Sequence, residues 1–481
     1  LLCLAAVFAS PYGAKLLPVP FTDTAYASKY IAELRKFAFT DLLHFRFSGL
    51  APDFSTVSNL LILSTLSLVL LGLGRRQIRL HHLVLFAGGC FLLTKGTRFI
   101  HEFALLSLPC LAAVDRQSPA EPARLPASAA VIVALVAVSL LYMHNLYASR
   151  PKYPVTKADL PTGVAAFLHH VGAKGRILND PATGGYLSWK MWPDCLIYMD
   201  MQVPFLFSDN DFFEGVNAIY DKGAGRRLLT RYQPDYLSLP IHSPLNADSM
   251  IRNEGYVPVF FDDREILYVF RQRHPTVADA HELKRINPAA NGRIDFQRMS
   301  TESEQAFLAE AQRLARINPQ GLMINRLLSL YYADRKDFPR AVAYAERIIH
   351  NFPNHAEGYL RKAVGLKEMG DYTKALKFYR RALTRTEEQQ RKNLYQAIAQ
   401  CHFALKQYRK AYAVLRKSEN VFSPSIGYLD LYRLALAAYQ AGKTDEARML
   451  AKFAAFKQPD GKRGQDPRIS QLIRILEQTP Q

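Results

Sequence analysis

The stretch Ala356–Gln389, AEGYLRKAVGLKEMGDYTKALKFYRRALTRTEEQ, decides the architecture of the last third of the chain. Small residues stand at Ala363, Ala375 and Ala382. Larger ones stand at Tyr359, Leu366, Tyr372 and Tyr379, and Gly370-Asp371 separates the halves. Helical periodicity broken by one turn reads as two helices that cross closely, because alanine lets a partner backbone approach. The pattern recurs. With Ala341, Ala375, Ala411 and Ala447 taken as the small residue of each second helix, the intervals are 34, 36 and 36. The preceding turns then fall into register at Lys336-Asp337-Phe338, Gly370-Asp371-Tyr372, Lys406-Gln407-Tyr408 and Gly442-Lys443-Thr444. Pro353 and Pro459 stand where a second helix ends.

Four such units, over roughly 322–461, resemble tetratricopeptide (TPR) repeats, whose helix pairs stack on their neighbours. Glu304–Ile317, followed by Pro319, reads as half of a fifth, degenerate unit. Ser470–Gln478 reads as the capping helix that an open solenoid end requires. The resemblance rests on Tyr359, Ala363, Gly370, Tyr372, Ala375 and Ala382, with Ala341, Ala411 and Ala447. It implies a concave groove for a peptide or protein partner and no catalysis.

Working outward, composition changes along the 481 residues. Residues 1–147 are mostly apolar, whereas 303–481 are dense in Lys, Arg, Glu and Ala, a step that separates a lipid-facing part from a water-facing one. The chain opens inside an apolar run, Leu1–Ala9, with no charged region before it, so the true N-terminus is expected to be missing. The formal charge of +19 is spread over helix faces and loops rather than gathered in a basic stripe with aromatics, so no nucleic-acid partner is expected. The five cysteines form no CxxC pair, and neither a disulfide framework nor a metal site is indicated.

A bilayer asks for about 20 apolar residues per helix. Val57–Leu73 meets this without a charge and stops at Arg75, Arg76 and Arg79. Ala127–Tyr147 is a second clean span. Leu80–Val114, broken by Lys95-Gly96-Thr97-Arg98, reads as two short helices with a basic turn. Positive charge in short loops puts Arg75, Arg76 and Arg79 inside, and everything after residue 150 outside the cytoplasm. Tyr26, Ile31, Leu34, Phe37, Phe39, Leu42 and Phe45 recur at roughly helical spacing; they fit an interfacial helix and equally a loop helix packed on the bundle. Arg98, Lys95 and His101 form the polar cluster of this region. They suit a lipid phosphate, or else are snorkelling cations with Glu102 pairing Arg98 or Lys95.

Between these parts, elements of both kinds alternate. Helix is expected at Thr162–Val171, over most of Phe212–Tyr232 and at Asn246–Asn253. Strand is expected at Arg176–Asn179, Tyr186–Trp189, Leu196–Met199 and Tyr236–Leu239, and in a hairpin of Val257–Phe261 with Ile266–Phe270. This is the pattern of a small α/β domain. No phosphate-cradling glycine motif or nucleophile elbow is present. Asp200 at a strand end reads as a turn former, and His169-His170 as solvated.

The order of parts resembles the GT-C superfamily, membrane glycosyltransferases that take sugar from a polyprenyl-phosphate donor. Ser10-Pro11-Tyr12-Gly13 is similar to their Asn-Pro-Tyr-Gly. Ile31-Ala32-Glu33 is similar to Ile-x-Glu-Trp, and Thr97–Phe103 with Pro109 to Arg-Asn-x-Pro-x-Phe…Pro. Gly184-Gly185-Tyr186-Leu187 and Ile197-Tyr198-Met199-Asp200 resemble Gly-Gly-Tyr-Leu and Val-Phe-x-Asp-Gly-Arg. Ser10, Leu34 and Met201-Gln202 depart from the family pattern. The resemblance implies sugar transfer at the outer membrane face, with Arg98 and Lys95 neutralising the lipid phosphate. It puts the catalytic acid, and any divalent metal, on residues upstream of Leu1; no cofactor is visible in this sequence.

The expected architecture is therefore multi-domain. An α-helical transmembrane bundle occupies 1–150, a small extracytoplasmic α/β domain 151–275, a linker 276–302 and an all-α TPR solenoid 303–481. Two functions remain open at this point. One is the C-terminal half of a glycosyltransferase in a bacterial inner membrane, contacting lipid and a polyprenyl-phosphate sugar. The other is a non-catalytic, membrane-anchored TPR scaffold.

Overall fold

The computed structural model describes residues 54–74, 78–115, 159–202, 207–247, 249–290, 296–386, 390–418, 426–459 and 466–478, with isolated positions elsewhere. Ser10-Pro11-Tyr12, Ile31–Leu34, Arg75, Arg76 and most of 127–147 lie outside the described residues. The chain divides into two units, Leu1–Leu283 and Lys284–Gln481.

In the first unit, short 3-10 turns at Gly13–Leu16 and Phe39–Leu43 and a two-residue hairpin of Phe47–Ser48 with Ala51–Pro52 precede α1 (Phe54–Gly74), α2 (Leu80–Lys95) and α3 (Ile100–Asp115). Helix α1 has 21 uncharged residues and is the one described helix long and apolar enough to cross a membrane; α2 and α3 have 16 each. Its polar residues bond back to backbone, Thr65 to the Leu61 carbonyl at 2.8 Å and Asn59 to the His44 carbonyl at 3.1 Å. Helices α2 and α3 approach at Gly89, where a Cβ would stand 3.2 Å from the Phe103 Cα. Leu70, Leu80, Val84 and Leu105 are each more than 60% exposed on these helices.

An α/β layer follows, with α4 (Thr162–His170), β1 (Gly175–Asn179), α5 (Pro181–Met191), β2 (Cys195–Ile197), α6 (Asp209–Tyr220) and α7 (Lys222–Tyr232). Then come β3 (Tyr236–Pro240), α8 (Ser249–Asn253), β4 (Tyr256–Phe261), β5 (Glu265–Phe270) and α9 (Pro275–His281). The sheet order is β2-β1-β3-β5-β4, with β1 parallel to β2 and β3 and β5 antiparallel to its neighbours. Strand β3, central in the sheet, and strand β4, at its edge, are both buried along their whole length. One expectation fails here: Tyr186–Trp189 is helix, within α5. Asp180 caps it by accepting the Ala182 N–H at 3.0 Å, and Pro181 occupies its first turn. These two start signals outweigh the aromatic content that suggested a strand.

The secondary-structure elements described in the second unit are all helices. Helix α10 (Thr301–Ile317) is followed by the pairs α11 (Leu322–Asp334) with α12 (Phe338–Asn351) and α13 (Ala356–Glu368) with α14 (Tyr372–Leu383). The pairs α15 (Lys392–Ala404) with α16 (Tyr408–Ser418) and α17 (Tyr428–Gln440) with α18 (Thr444–Phe456) come next, and α19 (Pro467–Gln478) covers the end. The stretch 276–302, expected as linker, contains most of α9 and a segment tied to α10. Buried Glu310 accepts the Lys284, Arg285 and Ile286 amides at 3.0–3.1 Å.

Candidate functional site

The repeat array is built from one local device used four times. After each first helix the chain reverses at a left-handed residue: Lys336, Gly370, Lys406 and Gly442, with φ of 59°, 84°, 55° and 81°. Each reversal carries the same two backbone bonds. Asp337, Asp371, Gln407 and Lys443 donate to Tyr332, Leu366, His402 and Ala438, while Lys336, Gly370, Lys406 and Gly442 donate to Ala333, Lys367, Phe403 and Tyr439. This is the Schellman closure, which satisfies the last carbonyls of a helix and fixes the angle of the next. Ala341, Ala375, Ala411 and Ala447 are at most 1% exposed, and Ala363 and Ala382 are fully buried. Tyr359 and Tyr379 fill the space between them, and Gly370 and half-buried Tyr372 form the second turn. The predicted signature residues are therefore core and turn.

The first helices share a surface of a different kind. Positions spaced three and four apart share a helical face. On α13 these are Glu357, Leu360, Val364 and Lys367; on α17, Leu429, Tyr432, Leu436 and Tyr439. Successive first helices are joined across this face. Arg326 of α11 meets Glu357 of α13 at 3.0 Å, with Arg361 on the same carboxylate at 2.7 Å. Lys367 reaches Gln400 of α15 at 3.4 Å, and Lys392 and Gln396 bond Asp430 of α17 at 2.6 and 3.1 Å. The carboxylates Glu357 and Asp430 are thus taken up from within by cations that outnumber them. Between the pairs stand half-buried Leu360, Val364, Phe403, Tyr432 and Leu436. Sequence reading found the repeat and missed these cross-helix pairs. The available signal was polar residues recurring at the same position of consecutive first helices.

The C-terminal region is a TPR-like repeat domain. A family model described as anaphase-promoting complex, cyclosome, subunit 3 matches residues 368–454 of this domain. Among solved structures, a TPR protein from Thermus thermophilus is 16% identical; the match covers 37% of this chain and 92% of that one, with a TM-score of 0.27. A tetratricopeptide repeat protein from Parabacteroides merdae is also 16% identical, covering 56% and 95%, with a TM-score of 0.27. The Cut9–Hcn1 hetero-tetramer of the anaphase-promoting complex is 13% identical, covering 43% and 39%, with a TM-score of 0.32. No curated protein sequence matches the chain.

Two other sets of predicted residues are placed by the structure. Lys95 closes α2 and lies over the Phe91 ring at 5.2 Å. Arg98, in the connecting turn, lies over Phe99 at 4.8 Å, and His101 is exposed on α3. Glu102 pairs with neither cation: among the described residues Lys95 and Arg98 have no carboxylate partner, contrary to the ion pair expected there. In the α/β layer the Gly-Gly-Tyr-Leu segment is explained by packing. A Cβ on Gly184 would fall 2.1 Å from the Met199 carbonyl oxygen, so only glycine admits the chain that carries Asp200. Asp200 itself accepts the Gln202 N–H at 2.9 Å, a turn former as predicted. His169 and His170 are exposed.

Next to Gly184, fully buried Glu265 is bonded by the Thr183 and Ser238 hydroxyls. Burial pushes its carboxyl up to about 8, helped by the nearby Asp262 and Asp180. Asp262 is pushed up to about 6 by burial, held back by the backbone N–H groups of Val164, Arg264 and Glu265. Asp262 also caps α4, accepting Gly163 and Val164 at 2.9 Å. These carboxyls face inward, and their bonds hold strands to helices. Among the described residues no His, Cys, Asp and Glu set is placed to hold a metal.

Proposed function

We propose that this protein is a membrane-anchored interaction scaffold whose TPR-like domain grips an extended peptide segment along its first-helix face. The observation that carries the reading is that face itself. Its carboxylates Glu357 and Asp430 are taken up by cations of the same and neighbouring helices, which leaves Leu360, Val364, Tyr432 and Leu436 as half-buried apolar contacts between polar ones. Such a surface suits a segment of mixed apolar and polar character rather than a highly charged one. The anchor is α1, supported by its length and by the exposed apolar residues of α1–α3. The orientation that puts the chain after residue 150 outside the cytoplasm belongs to the same proposal. Panning the full chain against a random peptide display library tests the groove. Selected peptides should lose at least about tenfold in affinity with Val364→Asp or Tyr432→Ala, the scale of one good apolar anchor. Selection of peptides indifferent to both changes would remove the groove from the account.

A second reading keeps the front half as part of a GT-C-like glycosyltransferase. It is favoured by Lys95 and Arg98, two partly exposed cations beside an apolar helical hairpin with no carboxylate among the described residues to satisfy them. A lipid-borne phosphate would satisfy both. In the full-length protein, unchanged turnover of a polyprenyl-phosphate sugar by Arg98→Ala would exclude that role.

A further inference from the structure

The TPR-like domain has a second face of opposite character. Helix α14 exposes Lys374, Lys377, Arg380 and Arg381, and α16 exposes Arg409, Lys410, Arg416 and Lys417; neither helix contains an acidic residue. Lys374 pairs with Asp371 at 2.7 Å and Arg416 with Glu446 at 3.5 Å. Among the described residues Lys377, Arg380, Arg381, Arg409, Lys410 and Lys417 have no carboxylate partner. Cations of both helices act on buried His402: its burial holds it below the ordinary histidine range, against the hydrogen bond to Gln407, and Arg380 and Lys410 each add to the lowering. The patch continues onto α18, which Arg416 reaches through Glu446 and which Tyr412 reaches through Lys443, 4.6 Å from its ring. There Met449 and Phe456 are 58% and 65% exposed on one face, with exposed Lys452 between them.

We propose that this second-helix face is a docking surface for an anionic lipid bilayer, with Met449 and Phe456 entering the headgroup layer. Unpaired cations beside exposed apolar side chains make an interfacial membrane surface: the cations meet lipid phosphates and the apolar groups leave water. A single-stranded nucleic acid would need aromatic rings among the cations for its bases. On α14 and α16, however, Tyr379 and Tyr412 are buried, and Tyr372, Phe378 and Tyr408 are half-buried. An acidic peptide would gain more from a groove than from an outer helix face. The inference goes beyond the anchor reading, since α1 carries no charge and inserts into any bilayer.

The test uses the full chain in nanodiscs, with an environment-sensitive fluorophore on Ala413→Cys, an exposed position of α16, and the parent chain labelled in parallel. Brominated lipid should quench this fluorophore in discs containing phosphatidylglycerol and not in discs of phosphatidylcholine alone. Molar salt should abolish the quenching, since exposed charges lose their reach there. So should the combined change Lys377→Glu, Arg380→Glu and Lys410→Glu, while Met449→Ser with Phe456→Ser should reduce it. The salt arm needs no variant and so stands even if the reversed chain misfolds. Chain incorporated in both discs with no quenching in either would overturn this inference and leave the α1 anchor standing. Equal quenching in both lipid compositions would overturn it too. So would a response of the fluorophore to a single-stranded RNA oligonucleotide but not to phosphatidylglycerol.

Discussion

At the residue scale, two side chains carry strain or charge that can be measured. Lys406 holds φ of 55° at a position where two of the equivalent turns have Gly370 and Gly442 and the third has Lys336. A side chain there costs about 1 kcal/mol that glycine avoids, partly offset by glycine's greater freedom when unfolded. Lys406→Gly is therefore expected to stabilise the α15–α16 pair by about 0.5 kcal/mol, read as slower hydrogen exchange at the amides of 408–415. Glu265 is the second case. Its folded carboxyl stands near 8 against 4.5 for the free group, so the folded state holds its proton more tightly. Its stabilising contribution is complete below pH 4.5 and is lost as pH rises through 8. Asp262, at about 6, acts with the same sign over a lower window. The melting temperature of the parent chain should fall across this range. Glu265→Gln, which keeps hydrogen bonds to Thr183 and Ser238, should flatten the upper part of the slope. A parent chain whose stability rises from pH 6 to 8 would contradict the assignment. Neither group was legible in sequence. Lys406 reads as an ordinary turn lysine until it is aligned with the glycines. Glu265 sits in Asp262-Asp263-Arg264-Glu265, which reads as a solvated hairpin turn, and its burial follows from where the turn is tucked.

At the scale of elements, close approach decides what can change. Gly184 faces the Met199 carbonyl, and Ala375 is fully buried where α13 and α14 cross. Gly184→Ala must push backbone, and Ala375→Leu must force helices apart; each is expected to cost about 1–3 kcal/mol, measured as a lower denaturation midpoint. The crossing alanines were readable because they recur at near-constant intervals and the period of each helix is unbroken. The strands β3, β4 and β5 were readable as short apolar runs with a hairpin turn between the last two. Helix α5 was not, because Tyr186, Leu187 and Trp189 carry strand propensity while the cap at Asp180-Pro181 lies a full turn earlier. The binding face of the first helices stayed hidden for a different reason. A cross-helix pair such as Arg326 with Glu357 depends on how two repeats stack, which no single window of sequence contains.

At the scale of the whole molecule, the chain carries a formal charge of +19, and the two faces of its repeat domain handle their charges differently. The carboxylates of its first-helix face are taken up by paired cations, and its second-helix face keeps cations without carboxylate partners among the described residues. The proposed company of these faces differs, a peptide on one and an anionic surface on the other. Salt should therefore separate them: peptide affinity should change little as ionic strength rises, because contacts there are apolar or already paired. The central claim, that partners seat on the first-helix face, is tested most directly by placing a photo-crosslinking amino acid at Val364 or at Ala413 in the full chain. The chain is then irradiated with a peptide selected by display. The account predicts adducts from position 364 and none from position 413. Adducts from position 413 alone would contradict it.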